Sequence, residues 1–172
     1  SPLIALMKDQ VDSLSANGIE ASCINSSLST KKIEDIKIKL LENKDKILYV
    51  APERLTSPDF LYFLKMLKIA LFAIDEAHCI SEWGHDFRPE YRKLRILREM
   101  FPHVPIVALT ATAIPDVQDD IIQALKLSAP RIYKASFNRP NLFYYVRPKE
   151  DTYDQILFYL SKHRKDSGII YC

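Results

Sequence analysis

Apolar positions along this chain follow two alternating rhythms, short unbroken runs and longer stretches with a single apolar face. Residues 69–74, Ile-Ala-Leu-Phe-Ala-Ile, are too few for a helix and carry no polar face, which is the pattern of a buried strand. Ile47-Leu48-Tyr49-Val50 and Ile106-Val107-Ala108-Leu109 read the same way, and residues 19–24 form a plausible further strand. Between these runs the spacing turns helical. Leu3, Leu6, Met7, Val11 and Leu14 recur on one face behind Ser1 and Pro2, an N-cap and first-turn pair, and Asn17-Gly18 stops that helix. Ser29 caps a second helix whose Ile33, Ile36, Leu40 and Leu41 are expected to face inward. Ser57-Pro58 starts a third helix, Pro89 opens a fourth through Arg98, and Pro115 opens a fifth to about Leu125. Strands alternating with helices predict an α/β fold, a parallel sheet with right-handed crossovers.

A turn-rich stretch, Phe137-Asn138-Arg139-Pro140-Asn141, marks a boundary, so residues 1–137 and 138–172 are expected in separate domains. The second part predicts a strand at 142–146, a helix over about 152–162 and a strand at 168–172. Residue 1 is Ser, and the sequence stops inside that last apolar run. The expectation is a piece of a longer protein.

Composition changes this picture little. Of the 172 residues 48% are apolar, enough for a full core. A net charge of +2 is too small to argue for nucleic acid, so any such binding must come from local placement of charge. No stretch approaches the length of a membrane span. Cys23, Cys79 and Cys172 are odd in number and widely spaced, as reduced thiols in a cytoplasmic protein are. The lysines of the second helix are mixed with Glu34, Asp35, Glu42 and Asp45, the pattern of a solvated face. None of Gly18, Gly84 and Gly168 is followed by Lys-Ser or Lys-Thr, so no phosphate-cradling P-loop occurs within these residues.

The chemistry concentrates in Asp75-Glu76-Ala77-His78, directly after the run at 69–74. Two adjacent carboxylates at the carboxyl end of a buried strand emerge at the rim where open α/β sheets bind ligands. One can hold a hydrated Mg²⁺, usually through water, and its neighbour can orient or deprotonate the water that attacks a γ-phosphate. The loop that follows interleaves Trp83, Phe87 and Tyr91 with His85, Arg88 and Arg92. Stacking on aromatics is worth about 1–3 kcal/mol per base and tolerates any sequence, while arginine adds phosphate contact. Tyr91, at the head of a helix, suits the core equally well. Arg88, Arg92 and Arg95 share a helical face, with Arg95 the more simply solvated.

The residues resemble the RecQ-type DNA helicases of the second helicase superfamily. SPLIALMKDQV at 1–11 resembles motif Ia, APERL at 51–55 motif Ib and DEAHCISEWGHDFRPEY at 75–91 motif II with the family's aromatic-rich loop. ALTATA at 108–113 resembles motif III, and GIIYC at 168–172 the start of motif IV. A DEAH tetrapeptide alone indicates only a helicase-like ATPase, whereas its continuation into WGHDFRPEY is specific and argues against a DEAH-type RNA helicase.

The resemblance implies a motor of two RecA-like domains of the P-loop NTPase type, with ATP between them and single-stranded or partially duplex DNA across the top. It implies Mg-ATP hydrolysis coupled to 3′-to-5′ unwinding in recombination and repair, and a cytoplasmic place, nucleoid-associated in a bacterium. Residues 1–137 would be most of the first domain and 138–172 the start of the second. Asp75 would hold Mg²⁺ through water, Glu76 would position the attacking water, and His78 would couple the nucleotide site to Thr110 and Thr112. Trp83, His85, Phe87, Arg88, Lys8 and Arg54 would face DNA. Lys8 also reads as plain surface, and Glu53-Arg54 equally as a local ion pair. The Walker A lysine and the arginine finger of such motors match nothing in these residues, so the chain alone is expected to be inactive. A nucleic-acid-binding module without catalysis is the alternative. Zinc chemistry on Asp75, Glu76, His78, Cys79 and His85 is disfavoured by the lack of an HExxH or a paired CxxC.

Overall fold

The computed structural model describes residues 4–136 and 138–171. Residues up to Arg131 form one compact unit and residues from Ile132 another. Ser1, Pro2, Leu3, Phe137 and Cys172, which figure in the expected helix start, boundary and last strand, lie outside the described residues.

In the first unit, helix α1 (Ile4–Ala16) ends as its sequence predicts. Gly18 adopts a positive φ of 76°, and the Ile19 and Gly18 amides donate to the Leu14 and Ser15 carbonyls, so the terminal carbonyls are satisfied. Strand β1 (Ala21–Ile24) leads into α2 (Thr30–Leu41), whose cap Ser29 accepts the Lys32 amide. Asn43, at φ 57°, closes α2 as Gly18 closes α1. Strand β2 (Ile47–Val50) pairs in parallel with β1, Ala21 opposite Ile47 and Ile24 opposite Val50. A 3₁₀ turn (Pro52–Thr56) and helix α3 (Pro58–Lys65) follow.

Strand β3 (Phe72–Ile74) pairs in parallel with β4 (Ile106–Ala108). Between them lie a 3₁₀ turn (Ala77–Ile80), the loop at 81–88, α4 (Pro89–Arg92) and α5 (Arg95–Met100). Helix α6 (Pro115–Ala124) follows β4. The core joins Ile24, Ile74, Ala77, Ile80 and Tyr91 to Phe60, Phe63, Leu64, Leu94, Leu97, Val117, Ile121 and Leu125. Parallel strands flanked by helices make this a RecA-like α/β fold, with the paired strands in two ladders, β1–β2 and β3–β4.

Several expectations are corrected. The run at 69–74 is strand only from Phe72, because ladder bonding starts with the Phe72 amide on the Pro105 carbonyl. The helix expected from Pro89 through Arg98 is two helices, broken at Lys93 and Leu94 where amides bond three residues back. Leu41 is half exposed, whereas Ile33, Ile36 and Leu40 pack against the core.

In the second unit α7 (Thr152–Lys162) forms where its periodicity placed it. The strands expected at 142–146 and 168–172 are absent over the described residues. No ladder partner pairs with either segment, and a strand without one cannot satisfy its amides and carbonyls internally.

Candidate functional site

Strand β3 delivers Asp75 and Glu76 to the rim of its ladder, and the backbone turns sharply there. Glu76 sits in the left-handed region at φ 50°, ψ 43°, costing a non-glycine residue roughly 1–2 kcal/mol. That turn sends the chain into the 3₁₀ segment Ala77–Ile80, all four of whose residues are buried. Backbone bonds then fasten it to the neighbouring strand end, Leu109 amide to Ile74 carbonyl at 2.8 Å and Ala77 amide to Leu109 carbonyl at 2.9 Å. Strain held this firmly by its surroundings is a feature of functional turns. Nothing in the sequence announces it, since glutamate has no preference for this conformation.

His78 is the junction of the site. It is 5% exposed, and its Nδ1 lies 3.0 Å from the Thr110 hydroxyl and 3.3 Å from a Glu76 carboxylate oxygen. A carboxylate only accepts, and the Thr110 hydroxyl can donate to the Thr112 carbonyl 3.2 Å away. Those partners assign the proton to Nδ1, which donates toward both oxygens. The Thr112 amide also donates to the Thr110 hydroxyl. One contact chain thus runs from Glu76 at the end of β3 to the Thr110–Thr112 turn after β4.

Asp75 is half-buried. Its Oδ1 accepts the Glu76 amide at 3.0 Å, and it forms no ion pair among the described residues. A rim carboxylate not neutralised by lysine or arginine suits a hydrated Mg²⁺. No group of three or more His, Cys, Asp and Glu is gathered as metal ligands among the described residues, so such an ion would rely on this carboxylate, water and substrate phosphates. Tyr91 settles its two readings as core. It is 1% exposed, its hydroxyl donates to the Asp75 carbonyl at 3.1 Å, and burial drives its pKa well above the usual tyrosine value. It pins the backbone that carries the carboxylates, a role visible only once α4 packs against the 3₁₀ turn that follows them.

The aromatic loop is built tightly at its base and openly at its tip. The Arg88 amide closes it on the Cys79 carbonyl, and the Gly84 amide bonds the Ser81 carbonyl. A Cβ on Gly84 would stand 2.5 Å from the His78 carbonyl oxygen, so only glycine lets the loop pass there. Trp83 is 76% exposed and Phe87 37%, each presenting ring surface to solvent. Arg92 lies over Phe87, 5.4 Å from its centroid, while its side chain bonds the Ile80 carbonyl and Glu82. His85 is exposed like these rings, and its own ring stacks on that of buried His78 at 4.2 Å, so it joins the loop surface to the junction beneath. Arg88 is held by Asp86 at 2.7 Å, a contact that lowers the Asp86 pKa and raises that of Arg88. Cys79 is buried beneath this pair, and burial first, then the Asp86 charge, push its thiol up to about 11.

Lys8 and Arg54 lie apart from this cluster. Lys8 is exposed on α1, and Arg54 donates at 3.4 Å to the carbonyl of buried Asn25 after β1. Arg54 thus bonds a carbonyl of the protein itself and forms no ion pair with Glu53. The structure brings together Asp75, Glu76, His78, Thr110, Thr112 and His85. It places Trp83 and Phe87 on the adjoining loop, and adds Tyr91, Ser81 and Asp120, whose links span 16 to 39 residues of sequence.

Comparison with known proteins gives the family of the chain. A family model described as DEAD/DEAH box helicase matches residues 1–121. The protein named ATP-dependent DNA helicase RecQ from Pasteurella multocida is 48% identical over 172 residues, covering 100% of this chain and 27% of that protein. Its counterparts from Haemophilus influenzae and Bacillus subtilis are 47% and 46% identical, with 28% and 29% of their lengths covered. The chain thus spans under a third of the length of these three relatives. The chain belongs to the DEAD/DEAH box helicase family and, along its whole length, is similar to RecQ helicases.

Proposed function

We propose that this chain is the central part of an ATP-dependent DNA helicase that couples Mg-ATP hydrolysis to 3′-to-5′ unwinding in recombination and repair, acting in the cytoplasm. The observation that carries the reading is the Glu76–His78–Thr110 contact, which joins the acidic rim of β3 to the turn after β4 beside an exposed aromatic loop. Residues 1–137 are most of a first RecA-like domain and 138–172 the start of a second. Bound Mg²⁺ supplies charge neutralisation at the phosphates. Asp75 holds it through water, and Glu76 orients the attacking water and takes its proton. His78, buried and donating from Nδ1, keeps the Glu76 carboxylate aligned and ties it to Thr110 and Thr112. Trp83, Phe87 and His85 offer faces to bases of single-stranded or partially duplex DNA, His85 from its stack on His78. Arg88, Lys8 and Arg54 supply positive charge toward the DNA backbone. The isolated chain, without a Walker A lysine among its residues, does not turn over ATP.

The test is ATPase rate against single-stranded DNA concentration in the full-length protein. Glu76→Gln should lower turnover by on the order of 10²-fold or more while retaining nucleotide binding. Trp83→Ala and Phe87→Ala should lower the ratio of DNA-stimulated to DNA-free rate. A stacked base is worth about 1–3 kcal/mol, so saturating DNA would restore a pure affinity loss but not lost coupling. Turnover of Glu76→Gln within a few-fold of the parent would remove the assigned role. Unwinding of a duplex with a 5′ but not a 3′ overhang would reverse the polarity.

A further inference from the structure

The aromatic loop is fastened to the molecule at a second place, Ser81, whose amide bonds the His78 carbonyl while its side chain reaches a different element. Ser81 is fully buried at the loop's first residue, and its hydroxyl donates to an Asp120 carboxylate oxygen on α6 at 2.5 Å. The same hydroxyl accepts the Trp83 amide at 3.2 Å, and the Ser81 carbonyl accepts the Gly84 amide. A serine hydroxyl has one proton and rotates freely, so its acceptor decides where its lone pairs point. Here Asp120 takes the proton, leaving a lone pair for the Trp83 amide. Arg92, Arg95 and Lys126 line the same groove, yet Asp120 forms no ion pair among the described residues. Its short contact is with Ser81.

Helix α6 is also the element that follows the Thr110–Thr112 turn, beginning at Pro115. We propose that Asp120 is a positioning residue for DNA-coupled ATP hydrolysis, setting the base of the aromatic loop through Ser81 so that movement of the turn after β4 reaches Trp83 through α6. The contact chain through His78 and the clamp through Asp120 then tie the base of the loop both to the turn after β4 and to α6. Without Asp120 the Ser81 hydroxyl loses its acceptor, the Trp83 amide loses a fixed partner, and the loop samples conformations in which DNA binds without reaching Glu76.

This inference rests on the DNA-stimulated ATPase proposed above, and the two fail differently. In the full-length protein, DNA-free and DNA-saturated ATPase rates and the KM for Mg-ATP are measured for the parent, Asp120→Ala, Asp120→Asn and Ser81→Ala. Asp120→Ala and Ser81→Ala should lower the DNA-saturated rate by roughly 3- to 30-fold, the range for residues that transmit coupling. Their DNA-free rate and KM should stay within about twofold. Asp120→Asn, whose amide oxygen still accepts from Ser81, should restore most of the stimulation. Chymotryptic cleavage at Trp83 and Phe87 should quicken in the alanine variants and not in Asp120→Asn, a readout independent of turnover. Absence of DNA stimulation in the parent would sink the functional reading. Stimulation in the parent that Asp120→Ala keeps in full would sink this inference alone. So would equal losses of DNA-free and stimulated rates, or failure of Asp120→Asn to recover stimulation.

Discussion

Residues 4–131 and residues 132–171 are written in the same alternating style, yet they differ in what their apolar side chains do. In the first unit every strand has a parallel neighbour, and fifteen side chains gather into one buried cluster. In the second, no described residue is buried, and Phe143, Val146 and Ile169 are 89%, 93% and 96% exposed. Helix α7 forms all the same, because its hydrogen bonds close within the segment. Strand 142–146 does not, because a strand's hydrogen bonds belong to its neighbour. A periodic pattern therefore states what a helix will be, and for a strand states only what it could pair as.

The comparison breaks most sharply at a core position. Leu97, on α5, is 2% exposed inside the cluster. Leu97→Ala should cost about 2–5 kcal/mol, lost transfer energy plus the cavity left behind. Urea unfolding followed by far-ultraviolet circular dichroism measures it. A cost below about 1 kcal/mol would mean the first unit is as loosely packed as the second.

A smaller effect should appear at high pH. The Cys79 thiol stands at about 11 rather than its ordinary 9.0, chiefly because burial penalises the thiolate, with Asp86 adding repulsion and Arg88 partly opposing it. The folded pKa lies above the unfolded one, so the stabilisation is complete below about 9 and is lost as pH rises toward 11. The buried Tyr91 hydroxyl shifts in the same direction. Denaturant midpoints should fall across that window, and Cys79→Ala should flatten the fall. A midpoint equally steep in Cys79→Ala would assign the alkaline loss to other groups.

What could be read directly from the sequence follows the same division. Proline-opened helices, the glycine stop at Gly18 and the carboxylate pair behind an apolar run all depend on neighbours a few residues away. The left-handed Glu76, the Tyr91 hydroxyl on the Asp75 carbonyl and the Ser81–Asp120 clamp depend on segments 16 to 39 residues apart. His85 is named by the sequence, but its stacking on His78, seven residues away, is not, because it depends on Gly84 passing close to the His78 carbonyl. Leu41 was misplaced for a different reason. It follows Leu40 by one residue, about 100° around the helix, which turns it away from the face on which Ile33, Ile36 and Leu40 pack.

The smallest expected effect is the one the second unit should show. Phe143→Ser removes an aromatic ring that is 89% exposed, so no buried contact is lost and no cavity opens. Its cost should lie within about 0.5 kcal/mol, the range for surface substitutions. Hydrogen exchange gives the finer measurement. The amides of β1 to β4 that point at the paired strand are bonded within parallel ladders beside a core, and should exchange only through large openings. Amides at 142–146 have no ladder and should exchange within about tenfold of an unstructured peptide. Helix α7 should fall between, because it has internal hydrogen bonds but an apolar face, Leu157, Phe158 and Leu160, left about half exposed. An isolated helix of 11 residues is marginal in water, so slight protection is the physical expectation. Protection at 142–146 equal to that of β3 would show those residues pairing as a strand, and would erase the difference between the two units.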